Sequence, residues 1–193
     1  MDETRVERFH GVRFYDSTEA MAGIVAAFLG TGFITHEPAL VIATRSHRRA
    51  IAQALAGCSF SVDLLQQSGN LVLLDASDTL STLLVHGTPD PVRFESAVSR
   101  RFGRLGHAHQ GPVRAYDEMG DMLWRGGTRE AAIQLESLWD RWTVTHRCSL
   151  VCGHAVPNFR DHGAPRVLCE QHSHIIAANG LPHPLCRVAP SAG

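Results

Sequence analysis

Apolar residues follow two rhythms along this chain. Short runs of apolar or small residues, Leu40 to Thr44, Leu71 to Leu74 and Cys148 to Cys152, have the length of buried strands. The stretch "GPVRAYDEM", ending in Asp117 and Glu118, reads as one more strand. Between these runs, apolar positions recur every three or four residues, as one face of a helix requires. Such stripes are Met21, Ile24, Val25, Phe28 and Leu29; then Phe94, Ala97, Val98, Phe102 and Leu105; then Leu135, Leu138, Trp139 and Trp142.

Polar punctuation sets the expected helix ends. Asp16 with Glu19 has the spacing of a capping box, and Gly30 and Gly32 are expected to stop that helix. Ser46 is expected to cap a helix from near His47 to about Ala56, closed by Gly57. A short helix is expected from about Asp78 to Val85. Asp90-Pro91 opens another, and Thr128 caps the Trp-bearing one. The stretch "VLCEQHSHIIAANG" reads as helical first and extended later, and "HPLCRVAPSAG" as a loose tail.

Strands alternating with helices four times predict a three-layer α/β fold, a mainly parallel sheet with helices on both faces. With no internal repeat or linker, residues 1–180 read as one domain and 181–193 as a C-terminal tail.

Composition removes several functions. A net charge of -1 gives no basic surplus for nucleic acid. All 18 basic residues are arginine, so neither a phosphate-loop lysine nor a Schiff-base lysine is available. No run approaches the roughly 18 apolar residues of a membrane helix. The charged start, "MDETRVERFHGVRFYDS", is no signal peptide, and five cysteines are an odd number. A reduced, cytoplasmic protein is expected.

Ligands of open α/β sheets bind beyond the carboxyl ends of the strands. The strand-turn-helix "LVIATRSHRRAIAQAL" is where a nucleotide fold would keep its phosphate loop. Its turn, Thr44 to His47, has neither glycine nor lysine. Asp75 stands where a magnesium-binding acid would, or simply caps the next helix. Asp117 and Glu118 can share a proton, hold a cation or favour a helix N-terminus, with Arg114 or Arg125 as partners. Glu136 needs a partner if it faces inward; the ordinary expectation is a half-exposed position beside the Trp stripe.

Cys152, His154, Cys169 and His172 are candidate metal ligands, because thiolate and imidazole suit zinc, although their spacing is not that of a zinc finger. Cys152 with His172 has the minimum for nucleophilic catalysis if the two meet. Trp124, Trp139 and Trp142 can line a pocket or pack the core. The apolar face at 20–29 is a candidate homodimer surface or core.

Several ordered stretches together resemble the MEDS (methanogen/methylotroph, DcmR-sensory) domains. They are "FHGVRFYDS", "GTGFITHEPALVIATRSHRRAI", "LVLLDASDTLSTLLVHGTPDPVRF", "VRAYDEMGDMLW", "AIQLESLWDRW", "FRD" and "CEQHSHII". The resemblance runs from about His10 to Ile176. It implies a sensory input domain on a degenerate RecA/KaiC-like core without a phosphate loop, binding an undefined small molecule. It also implies output through a separate histidine kinase or transcriptional regulator, with no catalysis and no cofactor. On this basis Arg45, Glu118, Trp124, Glu136, Trp139, His172 and His174 are the expected ligand contacts. The chain departs from the family pattern at Gly120-Asp121 and at Gly153-His154, both near the expected ligand end. A residual nucleotide binder or hydrolase, using Arg45, Arg48 and Arg49 with Asp75 or Glu118, remains an alternative. So does a Cys/His metal- or thiol-based sensor.

Overall fold

The structure, a computed structural model, describes residues 9–103, 105, 112–156, 165–176 and 182–184. The expected "FRD" motif at 159–161, Cys186 and most of the expected tail lie outside them.

The chain runs β1 (His10–Tyr15), α1 (Thr18–Ile34), β2 (Ala39–Ala43), α2 (Arg45–Gly57), α3 (Val62–Gln67) and β3 (Leu71–Asp75). Then come α4 (Ala76–Leu83), the small hairpin β4 (Leu84–Val85) and β5 (Thr88–Pro89), and α5 (Pro91–Phe102). The last part is β6 (Val113–Asp117), α6 (Met119–Arg125), α7 (Arg129–Thr145), β7 (Cys148–Ala155), α8 (Pro165–Gln171), β8 (His174–Ile176) and β9 (Pro182–Pro184).

The main sheet has the order β3-β2-β6-β7-β1-β8-β9. Every neighbouring pair is parallel except β8 with β9. Because side chains alternate along a strand, each central strand feeds two cores. Leu40 and Ile42 of β2 join one core with α4 to α8; Ala39, Val41 and Ala43 join the other with α1 and α2. The three-layer α/β expectation therefore holds, and the unbroken apolar runs mark strands covered on both faces. Among the described residues, no helix is long and apolar enough to cross a membrane.

Several expected boundaries are corrected. The cap of α1 is Ser17, whose hydroxyl accepts from the Ala20 N–H at 3.1 Å, not Asp16. The helix runs past Gly30 and Gly32 to Ile34. Those glycines serve packing: a Cβ at Gly30 would lie 2.8 Å from the Phe60 ring, and one at Gly32 2.5 Å from Arg114 Cδ. Thr44 rather than Ser46 precedes α2. Asp75 is the N-cap of α4, accepting from Ser77 and Asp78, and its other oxygen takes Arg48 at 3.0 Å. Asp90 caps α5 as expected, through the Arg93 N–H. Thr128 precedes α7, but its hydroxyl donates to the Leu123 carbonyl instead of capping.

Strand β7 continues to Ala155, so Gly153 and His154 lie inside the sheet, not beyond its end. The strand β1, absent from the expected set, lies inside the sheet between β7 and β8. Pro182–Pro184, at the start of the expected tail, pair with β8.

Candidate functional site

Two polar clusters stand out on this frame. The first lies where β2 and β6 end side by side, in register Ile42 with Asp117. Glu118, 2% exposed, follows β6 and turns its carboxylate onto the start of α2. One oxygen accepts from the Thr44 N–H, and the other lies 2.6 Å from His47 Nδ1. The hydrogen bond to Glu118 raises the His47 pKa, against the opposing effect of burial. A helix N-terminus is a ready anion site, and here a protein carboxylate already fills it. The connections are also short. Only Thr44 separates β2 from α2, and only Asp16 and Ser17 separate β1 from α1. A phosphate loop wraps about eight residues around its anion, so neither turn has the backbone for one.

The second cluster is buried on the face of β1 and β7, beneath α7. His10 opens β1. Cys152 lies on the adjacent strand, paired in register with Val12 and Asp117. Glu136 comes down from the middle of α7, and His172 follows α8. All four are within 2% of full burial. His10 Nε2 is 3.4 Å from both Cys152 Sγ and Glu136 Oε2, and His172 Nε2 is 3.3 Å from Glu136 Oε2. One ligand-capable atom from each residue lies within 4.8 Å of all the others.

The outer contacts of this cluster fix its rings. His172 Nδ1 is 2.7 Å from the Leu168 carbonyl, which can only accept, so that nitrogen carries a proton. His10 Nδ1 faces Asp140 Oδ1 at 3.4 Å. His154 Nε2 takes the second oxygen of Glu136, Oε1, at 3.2 Å. Asp121 braces this end, accepting from the Ala155 N–H at 3.0 Å and pairing with Arg125 at 3.2 Å.

Charge is unevenly shared among the buried acids. Burial would raise Glu136, but the nearby His172 and the close ring nitrogens of His10, His154 and His172 outweigh it, leaving its pKa well below the usual range. Asp117 goes the other way: burial, then the nearby Glu136, push it well up, despite the Trp139 indole N–H donated to it at 3.1 Å. The Cys152 thiol is likewise raised, by burial first and then by Glu136 and Asp117.

Gly120 and Gly153, at the two expected departures from the family pattern, each have a geometric role. A Cβ at Gly120 would run into Glu136 Oε1 and lie 3.3 Å from His154 Cε1. The missing side chain is what lets that carboxylate and ring meet. At Gly153, a Cβ would collide with the Tyr116 hydroxyl.

The expected ligand contacts are thus divided. Glu136 and His172 meet in the buried cluster, and Trp139 borders it through Asp117. Glu136 is not half-exposed beside its stripe but fully buried. Glu118 belongs to the first cluster. Arg45 is exposed, and Trp124 packs in the core with the Arg129 guanidinium over its ring. His174 is stacked on Phe9. Of the expected metal candidates, Cys152 and His172 belong to the four-residue cluster, His154 flanks it, and Cys169 stands apart from it, partly exposed.

His10 is the residue that sequence reasoning missed. The signal was available: it sits in "FHGVRFYDS", the first of the stretches that carry the resemblance.

Comparisons with known proteins agree with this architecture. The sequence model of the MEDS (methanogen/methylotroph, DcmR sensory) domain matches residues 9–170. No curated protein matches the sequence. Among solved structures, a KaiC-like protein from the hyperthermophilic archaeon Pyrococcus horikoshii superposes with a TM-score of 0.57. The alignment covers 86% of this chain and 70% of that one at 13% identity, which speaks for a shared KaiC-like fold and no more.

Proposed function

Because the chain belongs to the MEDS family of sensory domains, we propose that it works as a non-catalytic sensor. It takes a small ligand at the buried cluster beneath α7 and passes the change to a separate partner, such as a histidine kinase or transcriptional regulator. The observation that carries this reading is negative for nucleotide and specific in place. The N-terminus of α2, where a related fold would receive phosphate, is occupied by the Glu118 carboxylate with His47 beside it. A phosphate there would have to displace a buried acid of like charge.

The cluster beneath α7 suits sensing. Its polar groups come from β1, β6, β7, α7 and the segment after α8, so a ligand there biases several elements at once. A ligand shifts such an arrangement only by its difference in affinity between two states. Helix α7, which brings in Glu136, Trp139 and Asp140, is the natural element to move.

The test is calorimetric titration with magnesium ATP, together with an assay of phosphate release. The expected result is neither binding heat nor turnover. Magnesium-dependent turnover abolished by Glu118→Gln would overturn the reading in favour of a residual nucleotide hydrolase.

A second reading, a metal- or thiol-based sensor, is favoured by one observation: the convergence of two imidazoles, a carboxylate and a thiol on one buried point.

A further inference from the structure

We infer that His10, Glu136, Cys152 and His172 form a binding site for one divalent metal ion of the zinc class. The donors are His10 Nε2, Glu136 Oε2, Cys152 Sγ and His172 Nε2. The inference deepens the sensory reading of the cluster beneath α7 and rests on that cluster being the working part of the domain.

Geometry comes first. An ion about 2.0–2.3 Å from each of four tetrahedral donors sets donor-to-donor edges of about 3.3–3.8 Å. Three edges, 3.4 Å from His10 to Cys152, 3.4 Å from His10 to Glu136 and 3.3 Å from His172 to Glu136, have that length. The remaining pairs fall within 4.8 Å, so small rotations close the set.

The second observation is unsatisfied polarity. Glu136 Oε2 and His172 Nε2 are fully buried and lie 3.3 Å apart, yet neither makes a hydrogen bond of proper geometry. Leaving buried polar atoms unmade costs about 1–3 kcal/mol each, more for a charged group. A cation between them satisfies both at once.

The third is the orientation of the rings. Metal-ligating histidines characteristically donate their outer N–H to a carbonyl or carboxylate, which turns the other nitrogen inward. His172 does this to the Leu168 carbonyl, and His10 faces the Asp140 carboxylate. His154 occupies the second oxygen of Glu136, which leaves Oε2 as the oxygen for the ion.

The donor set selects the ion. Two neutral imidazoles, one carboxylate and one thiolate carry two negative charges, which a divalent cation neutralises in a buried space. A thiolate disfavours magnesium and calcium, and tetrahedral mixed nitrogen and sulfur donors suit zinc.

The test uses the full chain. The protein, purified without chelator, is weighed under native conditions and its metal content measured; the metal-free protein is then titrated with cobalt(II) as a spectroscopic substitute. Zinc equimolar with protein, intense tetrahedral cobalt bands and a thiolate-to-cobalt charge-transfer band are expected. Cys152→Ser is expected to lose the charge-transfer band, whereas Cys169→Ser keeps it. Should Cys152→Ser fail to fold, X-ray absorption at the zinc edge of the parent protein decides. One sulfur with three nitrogen or oxygen neighbours supports the site; an all-oxygen or many-sulfur shell overturns it. A parent protein that takes up neither zinc nor cobalt overturns it as well. In that case a retained small molecule would still support the sensory reading, so the two failures are distinguishable.

Discussion

Gly120 and Glu136 are a matched pair: the absence of a side chain on one makes the position of the other. Glu136 Oε1 occupies the space a Cβ at 120 would take, and it is held there by His154. Gly120→Ala lowers the backbone entropy lost on folding, a gain of roughly 0.5–1 kcal/mol in a helix. It also forces a buried carboxylate away from its imidazoles, and overpacking of this kind costs about 1–3 kcal/mol. The clash wins, so a net loss of stability is expected in urea denaturation. Gly23→Ala is the control. Gly23 is an exposed position of α1 with nothing within 4 Å of its would-be Cβ, and there a gain is expected.

The contact between His47 and Glu118 predicts a pH dependence. The folded His47 pKa is raised above its unfolded value of about 6.5. Its contribution to stability is therefore fully present below that value and lost as pH rises through the folded pKa. Asp121, which favours the charged imidazole, and Arg125, which opposes it, also act on His47. Glu118→Gln is expected to flatten the decline of the urea midpoint above neutral pH. An unchanged slope would show that this pair does not govern it.

Cysteine labelling reads the two sides of the fold directly. Cys58 is exposed, whereas Cys148 and Cys152 are buried and burial raises both thiols. Among the described cysteines, mass mapping after alkylation is expected to find Cys58 modified first and Cys169 more slowly. Cys148 and Cys152 are expected to react only in denaturant. Early modification of Cys152 would place it outside the interior.

Trp139 predicts a cost separable from packing. Its ring is fully buried and its N–H goes to Asp117. Trp139→Phe keeps most of the apolar volume but removes that donor, so a loss of about 1–3 kcal/mol is expected from the unsatisfied buried oxygen. A change within about 0.5 kcal/mol, as for ordinary surface substitutions, would contradict that role.

The sequence made the sheet legible where strands are apolar throughout. Leu40 to Ala43 and Leu71 to Leu74 lie under helices on both faces, so their composition alone marks them. Strand β1 escaped because its residues, His10 to Tyr15, mix an imidazole, a guanidinium and a glycine with apolar side chains. Its interior place comes from pairing with β7 and β8, a relation between residues more than 130 positions apart. Asp75 was legible as a cap because capping is local. Glu136 was not legible as a buried acid, since only its distant partners His10, His154 and His172 make burial tolerable. For the same reason Cys152 and His172 could be suspected singly, but their meeting with His10 and Glu136 belongs to the fold. The extension of β7 through Gly153 and His154 likewise depends on Tyr116 and Glu136, which fill the space beside it.

The central claim is that the working site lies beneath α7 and not at the strand ends around Glu118. The most direct measurement is a crystallographic anomalous difference map, collected at the zinc edge from protein purified without chelator. The account predicts a single strong peak between His10 Nε2, Glu136 Oε2, Cys152 Sγ and His172 Nε2. A map with no peak there, or with density for a bound nucleotide against Thr44, His47 and Glu118, would contradict it.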